Sequence, residues 1–314
     1  MPRSTGKLAC PLWLYIFFLF MPELPEVETI ARGLAKRVTG DTIESVWLGQ
    51  KKEPLKSPAA QIASVLEHSR IAQVRRMGKH IVFDLDRVAP TPSSAIGQRS
   101  KKVARVAQPP KTGQTKAQWI VHLGMTGRLQ VCDPQMETPK HTHATLKLSS
   151  GRELRFIDPR RFGRLSVASS GDFDAAGVEP LEVDLERFVD LFRGRKTPIK
   201  SALLNQKLLR GVGNIYADES LFRAGIRPRR RAVSITHEQL RKLYPSVQEV
   251  LKEAIALGGS SVSDYVNADG EEGFFQLQHR VYGREGEPCL VCKTPIKRVV
   301  IAGRSSHYCP KCQK

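Results

Sequence analysis

Met21-Pro22-Glu23-Leu24-Pro25-Glu26-Val27-Glu28-Thr29 sets an imino acid among carboxylates at the head of an amphipathic segment. If the mature chain begins at Pro22, that residue carries a free secondary amine. An α-amino group titrates at roughly pH 7.7–8.0, so a usable fraction is neutral and nucleophilic at physiological pH. A secondary amine condenses with an aldehyde carbon to an iminium ion without losing a second proton. Glu23, its neighbour, is placed to move protons at the same carbon. Read without context, the stretch is a proline-punctuated helix start whose acidic residues favour the helix dipole.

A second group with chemistry lies at the other end. Cys289-x2-Cys292 is followed by Cys309-x2-Cys312, two turns that each offer a pair of thiolates to one ion. This spacing predicts a structural Zn2+ held by Cys289, Cys292, Cys309 and Cys312, with the intervening residues folded back as a hairpin. Protein fills all four positions, so no place remains for a catalytic water, and the ion holds shape. Cys10 and Cys132 have no partners, and paired CxxC turns favour metal over disulfides and a reducing compartment.

Several basic segments suit phosphate. The formal net charge is +19 and the pI about 9.9, which points to a polyanionic partner, nucleic acid first. Gly211-Val212-Gly213-Asn214-Ile215-Tyr216 joins two predicted helices, with Asn214 read as the N-cap of the second. A helix N-terminus with free amides is an anion site, and Lys200, Lys207 and Arg210 lie nearby in sequence. Arg75-Arg76-Met77-Gly78-Lys79 precedes a strand. Gly303 to Tyr308 is read as the tip of the cysteine hairpin, where Arg304 can reach a phosphate.

The elements that must position these residues follow from periodicity. Val27, Ile30, Ala31, Leu34, Ala35 and Val38 form a helical stripe, opened by Pro25 and ended by Gly40. The period then changes to two. Strands are predicted at 42–48, 70–75, 80–85, 119–123, 128–131, 145–148, 153–157 and 164–167. Between the third and fourth, residues 87–118 carry seven basic residues and no acidic one, amid Pro, Ser, Gly and Gln. That composition predicts a disordered basic insertion. Beyond Gly171 the pattern is helical, at 184–193, 198–206, 214–224 and 237–257. The fold class is therefore α+β: an N-terminal β-sandwich with a flanking N-terminal helix, then a helical domain ending in a four-cysteine β-hairpin. The expected domains are 21–170, 182–278 and 279–314. Residues 1–20 stand apart. Arg3 and Lys7 precede an apolar run, Leu12 to Phe20, that is too short to span a membrane and lacks a small-residue cleavage site. We expect them to be absent from the mature protein, since a retained extension would lock the Pro22 nitrogen in a peptide bond.

Taken together, these motifs resemble the formamidopyrimidine-DNA glycosylase family, whose mature chains open with PELPEVET. The resemblance runs from Met21 to Lys314, interrupted by 87–118, and rests on separated motifs in the right order. It adds His122-Leu123-Gly124-Met125-Thr126-Gly127 and Asp158-Pro159-Arg160-Arg161-Phe162-Gly163 to those above. The resemblance implies Pro22, Glu23, Lys79 and Arg304 as catalytic residues, with Lys79 assisting β-elimination and Arg304 the second elimination. It implies DNA contacts from His141, Arg160, Arg195, Lys200 and Asn214. It also implies that Met125, Arg160 and Phe162 fill the space left by an everted nucleotide, offsetting stacking worth about a few kcal/mol. The central helical part would then be a helix–two-turn–helix element. The implied activity is excision of oxidised purines from duplex DNA through a Pro22 Schiff base, followed by β,δ-elimination. Expected partners are double-stranded DNA with oxidised purines or abasic sites, with no stable membrane association. A monomer in the bacterial cytoplasm, associated with the nucleoid, is expected. PELPEVET, Met125 and the Arg160/Phe162 pair favour the oxidised-purine branch over the endonuclease VIII branch. Gly270-Glu271-Glu272-Gly273 departs from relatives with a basic residue there, which leaves lesion preference open. A noncatalytic zinc-finger DNA-binding protein is the rival if the extension is retained, and a basic protein anchored by Leu12–Phe20 is another.

Overall fold

The computed structural model describes residues 21–87, 116–168, 173–260 and 273–314. The N-terminal extension, nearly all of the basic insertion, and Gly270 to Glu272 lie outside the described residues.

Helix α1 (Leu24–Val38) begins where the sequence pattern places it. Glu23 is its N-cap and Glu26 its N3 residue, and the two form a reciprocal capping box. Leu24, Val27, Ile30, Ala31, Leu34 and Val38 are buried along one stripe. Eight strands follow: β1 (Ile43–Leu48), β2 (Ser69–Met77), β3 (His80–Arg87), β4 (Lys116–His122), β5 (Arg128–Cys132), β6 (Thr142–Leu148), β7 (Glu153–Ile157) and β8 (Arg164–Ala168). They build two antiparallel four-stranded sheets, ordered β1-β6-β7-β5 and β2-β3-β4-β8. Phe83, Trp119, Leu146 and Phe156 are buried in the shared core, so apolar faces of both sheets turn inward. Helix α2 (Ala59–Leu66) was not expected. Only Ile62 and Leu66 are buried in it, too short a stripe to register as a helical period.

The second half is helical, with α3 (Leu185–Asp190), α4 (Ile199–Leu203), α5 (Asn214–Arg223) and α6 (His237–Ala256). Thr236 and Gln239 cap α6 with the same box as α1. The chain ends in the hairpin β9 (Lys297–Ile301) and β10 (Arg304–Tyr308). Its two turn residues, Ala302 and Gly303, have φ of 48° and 75°, the primed-turn geometry that matches strand twist. Arg304 therefore opens a strand, and the predicted tip from Gly303 to Tyr308 is corrected to Ala302–Gly303.

Helix α1 packs against β2 and also against α6, which sets the N-terminus where the two halves meet. A buried ionic cluster fixes that junction. Arg76 donates to Glu28 at 2.7 Å and to both carboxylate oxygens of Glu179 at 2.9 Å, and Arg210 approaches Glu179 at 3.4 Å. Arg76 and Glu179 side chains are 7% and 6% exposed, so the forked pair is desolvated and strong only while both members remain.

Candidate active site

A cleft of about 570 Å³ opens at this junction, lined by Met21, Glu23, Lys79, Asn214, Tyr282, Arg304 and their neighbours. Pro22, between Met21 and Glu23, is buried. Four residues singled out from widely separated motifs thus share one wall-to-wall space: Glu23, Lys79, Asn214 and Arg304.

Glu23 is held from across the molecule. The amide of Asn214 donates to Glu23 Oε1 at 2.6 Å, between residues 191 positions apart. Gly213, the N-cap of α5, lies so close that a Cβ there would overlap the Glu23 carboxyl. Two corrections follow. Asn214 is the first helical residue and Gly213 the cap, because only a residue without a side chain leaves room for the carboxyl. The free α5 amides, read as a phosphate site, are engaged by Glu23 instead. The Asn214 side chain donates to Ser305 Oγ at 3.2 Å.

Burial pushes the Glu23 carboxyl up to about 7. Lys79 pulls it down, the Glu26 charge pushes it up, and the amides of Asn214 and Ile215 pull it down. Glu23 Oε2 has no hydrogen-bond partner among the described residues. A half-protonated buried carboxyl with one free oxygen can both give and take a proton near neutral pH. Lys79 occupies the two-residue turn between β2 and β3 and is 9% exposed. Burial lowers its pKa, the charges of Glu23 and Glu26 raise it, and Arg304 lowers it.

Lys200 departs from expectation. Its side chain is 0% exposed, pairs with Asp218 at 2.7 Å, and donates to Ser305 O at 2.6 Å. Asp218 also accepts the His307 amide at 2.8 Å. A charge so enclosed does not reach a phosphate; it staples β10 beneath Arg304. Arg195 is exposed on the link after α3, with Nε on Leu191 O, and does not line the cleft.

The wedge residues come together on a separate pair of loops. A Cβ on Gly124 would lie 2.5 Å from Gly163 N, so the 123–127 and 158–163 segments touch backbone to backbone. Asp158, fully buried, accepts from Thr126 Oγ1 at 2.5 Å and from Gly163 N at 2.7 Å. Phe162 is 52% exposed, and the Arg160 guanidinium sits 4.9 Å above its ring. His141 is exposed with φ of 74°, and its carbonyl accepts the Asp158 amide at 3.0 Å. An exposed aromatic on a braced loop is suited to insertion rather than to core packing.

Sequence reasoning missed Glu26, Asp158, Asp218 and Tyr282, whose roles rest on partners far away in sequence. It also passed over His122, which packs on His80 at 5.0 Å between ring centroids. Burial, with His80 and Lys79 nearby, pushes His122 down to about 3.

The four cysteines close the C-terminus. Their sulfurs lie within 4.8 Å of one another, with Cys289–Cys312 at 3.9 Å and Cys292–Cys309 at 3.4 Å. Tetrahedral thiolates about 2.3 Å from zinc would stand about 3.8 Å apart, so this donor set fits that ion.

Three family models cover the chain in order: the formamidopyrimidine-DNA glycosylase N-terminal domain over residues 21–165, the H2TH domain of the same enzymes over 176–266, and a zinc finger found in FPG and IleRS over 286–314. A formamidopyrimidine-DNA glycosylase of Solibacter usitatus is 44% identical over 296 residues, spanning 94% of this chain and 100% of the relative. The chain belongs to the formamidopyrimidine-DNA glycosylase family. Another member, from Thermus thermophilus, is 42% identical over 304 residues, spanning 93% of this chain and 98% of the relative. The crystal structure of the MutM (Fpg) protein of that organism superposes with a TM-score of 0.75 at 40% identity, covering 93% of this chain and 98% of the other. Lactococcus lactis Fpg, solved with abasic-site DNA, gives 0.78 at 30% identity, covering 93% and 99%. The first model match begins at residue 21, one position before Pro22. No helix among the described residues is long and apolar enough to cross a membrane.

Proposed function

We propose that this protein is a bifunctional DNA glycosylase and abasic-site lyase that removes oxidised purines, such as 8-oxoguanine and formamidopyrimidines, from duplex DNA. The observation that carries this reading is Glu23 beside Pro22, buried and held by the Asn214 amide, in a cleft shared with Lys79 and Arg304. Kinship with enzymes solved on lesion-containing and abasic-site DNA supports the substrate.

In the mature chain, without Met21, the Pro22 amine attacks C1′ as the base departs. The neutral carboxyl of Glu23 gives its proton to the oxygen freed at that carbon, and an iminium forms between Pro22 and the opened sugar. The iminium acidifies C2′, whose proton is removed with the help of Lys79, and the 3′ phosphate leaves. A second elimination, assisted by Arg304, frees the 5′ phosphate and leaves a one-nucleotide gap. Met125, Arg160 and Phe162 fill the duplex where the nucleotide was. Arg160, His141 and the side chain of Asn214, whose backbone amide is taken by Glu23, contact phosphates, while Lys200 acts indirectly by fixing β10. Cys289, Cys292, Cys309 and Cys312 would hold one Zn2+, which stabilises the hairpin that presents Arg304. The protein acts as a monomer in the cytoplasm.

The productive enzyme has a neutral amine and a protonated Glu23. Rates should therefore describe a bell with limbs at about 7, from Glu23, and roughly 7.7–8.0, from the amine. The test is incubation of the chain starting at Pro22 with a duplex bearing one 8-oxoguanine. Gel analysis should show a gap with phosphate on both ends. An intact duplex would overturn the assignment.

A further inference from the structure

Glu26 is used in α1 as a capping residue, yet its surroundings exceed what a cap needs. It is fully buried, and its Oε2 accepts the Glu23 amide at 2.8 Å. Its Oε1 accepts the Ser260 amide at 2.8 Å and the Tyr216 hydroxyl. Ser260 follows a segment, 257–259, that pairs with a second, 273–275, to form a neck. Phe274 N donates to Leu257 O and Phe275 N to Gly259 O, each at 2.9 Å. Gly258 and Gly259 have φ of 77° and 87°, and a Cβ on Gly259 would stand 2.9 Å from Glu26 Oε1. Backbone therefore runs against the carboxylate itself, which requires glycine there.

The same neck is wired toward the cleft by a second route. Ser260 Oγ lies 3.2 Å from His279 Nε2. Rings then follow in series: Tyr216 to Phe275 at 5.6 Å, Phe275 to His279 at 5.5 Å, and His279 to Tyr282 at 5.6 Å. Tyr282 lines the cleft.

We propose that Glu26 is a positioning residue that yokes the Pro22–Glu23 backbone to the neck of Gly258–Ser260 and Gly273–Phe275, so that Glu23 reaches its productive place when the neck is seated. This rests on the function proposed above. One carboxylate spans both parts, so a shift at Ser260 pulls on the Glu23 amide directly. The link is also electrostatic. Burial raises the Glu26 pKa while Tyr216, Ser260 and Glu23 donors pull it back, and its charge in turn raises Glu23. The other groups that act on Glu23 are Lys79 from the β2–β3 turn and the α5 amides. Glu23 also acts on Lys200 from α4 and on Tyr282, and Arg304 bears on Lys79 and Lys200.

Glu26→Gln keeps the shape, removes the charge, and turns an amide NH2 toward groups that are already donors. Glu23 should then titrate lower. A fall of about one pH unit reduces the productive form about tenfold. The acidic limb of the bell moves to lower pH, and its maximum falls. Tyr216→Phe removes one donor and leaves Glu26 more readily protonated. It should shift the same limb in the same direction by less, with a loss of about threefold. The experiment measures single-turnover rates of borohydride-trapped adduct on an 8-oxoguanine duplex from pH 5.5 to about 9, for wild type and both variants. A variant that keeps wild-type rates and limbs while the wild type traps normally would overturn the yoke and leave the proposed function intact. Absence of any adduct from the wild type would overturn the function on which the yoke rests. Should Glu26→Gln fail to fold, Tyr216→Phe decides alone, because unchanged limbs in it contradict the coupling.

Discussion

Gly213→Ala isolates the cradle of Glu23 with a single methyl group. Gly213 has φ of −128° and ψ of −164°, extended backbone open to any residue, so the substitution carries no conformational strain. The added Cβ nevertheless overlaps the carboxyl carbon and both oxygens of Glu23 at separations well under the 3.0 Å that real Cβ contacts essentially never cross. The carboxyl must therefore retreat by about 1 Å or more, out of reach of the Asn214 amide that now holds it at 2.6 Å. Displacing a catalytic group that far costs about 100-fold in rate, or ~2.7 kcal/mol of barrier. Loss of the charge-assisted bond should cost a further ~1–3 kcal/mol of stability. Gly49→Ala is the control, since its Cβ meets His143 backbone at an ordinary 3.6 Å. Single-turnover excision on a lesion duplex, with thermal melting in parallel, reads both effects. A Gly213→Ala protein that cleaves at the wild-type rate would refute the idea that Glu23 must sit where the structure places it.

Glu23→Gln should abolish the alkaline decline of the pH–rate profile. The residual rate then rises through the amine titration at roughly 7.7–8.0 and stays level, because no carboxyl remains to lose its proton. Arg76→Met leaves Glu28 only Arg32 and Glu179 only Arg210 at 3.4 Å, and should destabilise by about 3 kcal/mol in thermal or urea unfolding. Stripping the metal with a chelator, or Cys289→Ser, should lower zinc content from one ion per chain as read by atomic emission. Strand cleavage and DNA affinity should fall together, and retention of both at zero zinc would contradict the role given to the hairpin.

Much of the fold could be read from periodicity. Alternation marks stretches such as the start of β2, where Ser69 and Ile71 are buried, whereas every residue of β7 is buried and it is legible only as a short run between turn residues. The cysteine spacing was equally legible, since two CxxC turns are what four thiolates need to close around one tetrahedral ion. Legibility ended where a residue's role depends on a partner remote in sequence. Lys200 looks like any basic residue beside a glycine turn, and nothing local reveals that Asp218 and Ser305 O enclose it. Asn214 looks like a helix cap until Glu23 arrives from the far end of the chain and requires the cap to be Gly213. Glu26 was visible as a first-turn acid, but its ties to Ser260 and Tyr216 exist only once α1 has docked on α6.

The most direct test of the account is to trap the covalent intermediate and find the atom that bears it. The chain starting at Pro22 is mixed with an 8-oxoguanine duplex in sodium borohydride, digested, and the DNA-linked peptide sequenced by mass spectrometry. One adduct is expected, on the Pro22 nitrogen, lost in a form that retains Met21. An adduct on Lys79 or another lysine, or one that persists unchanged when Met21 is still attached, would contradict it.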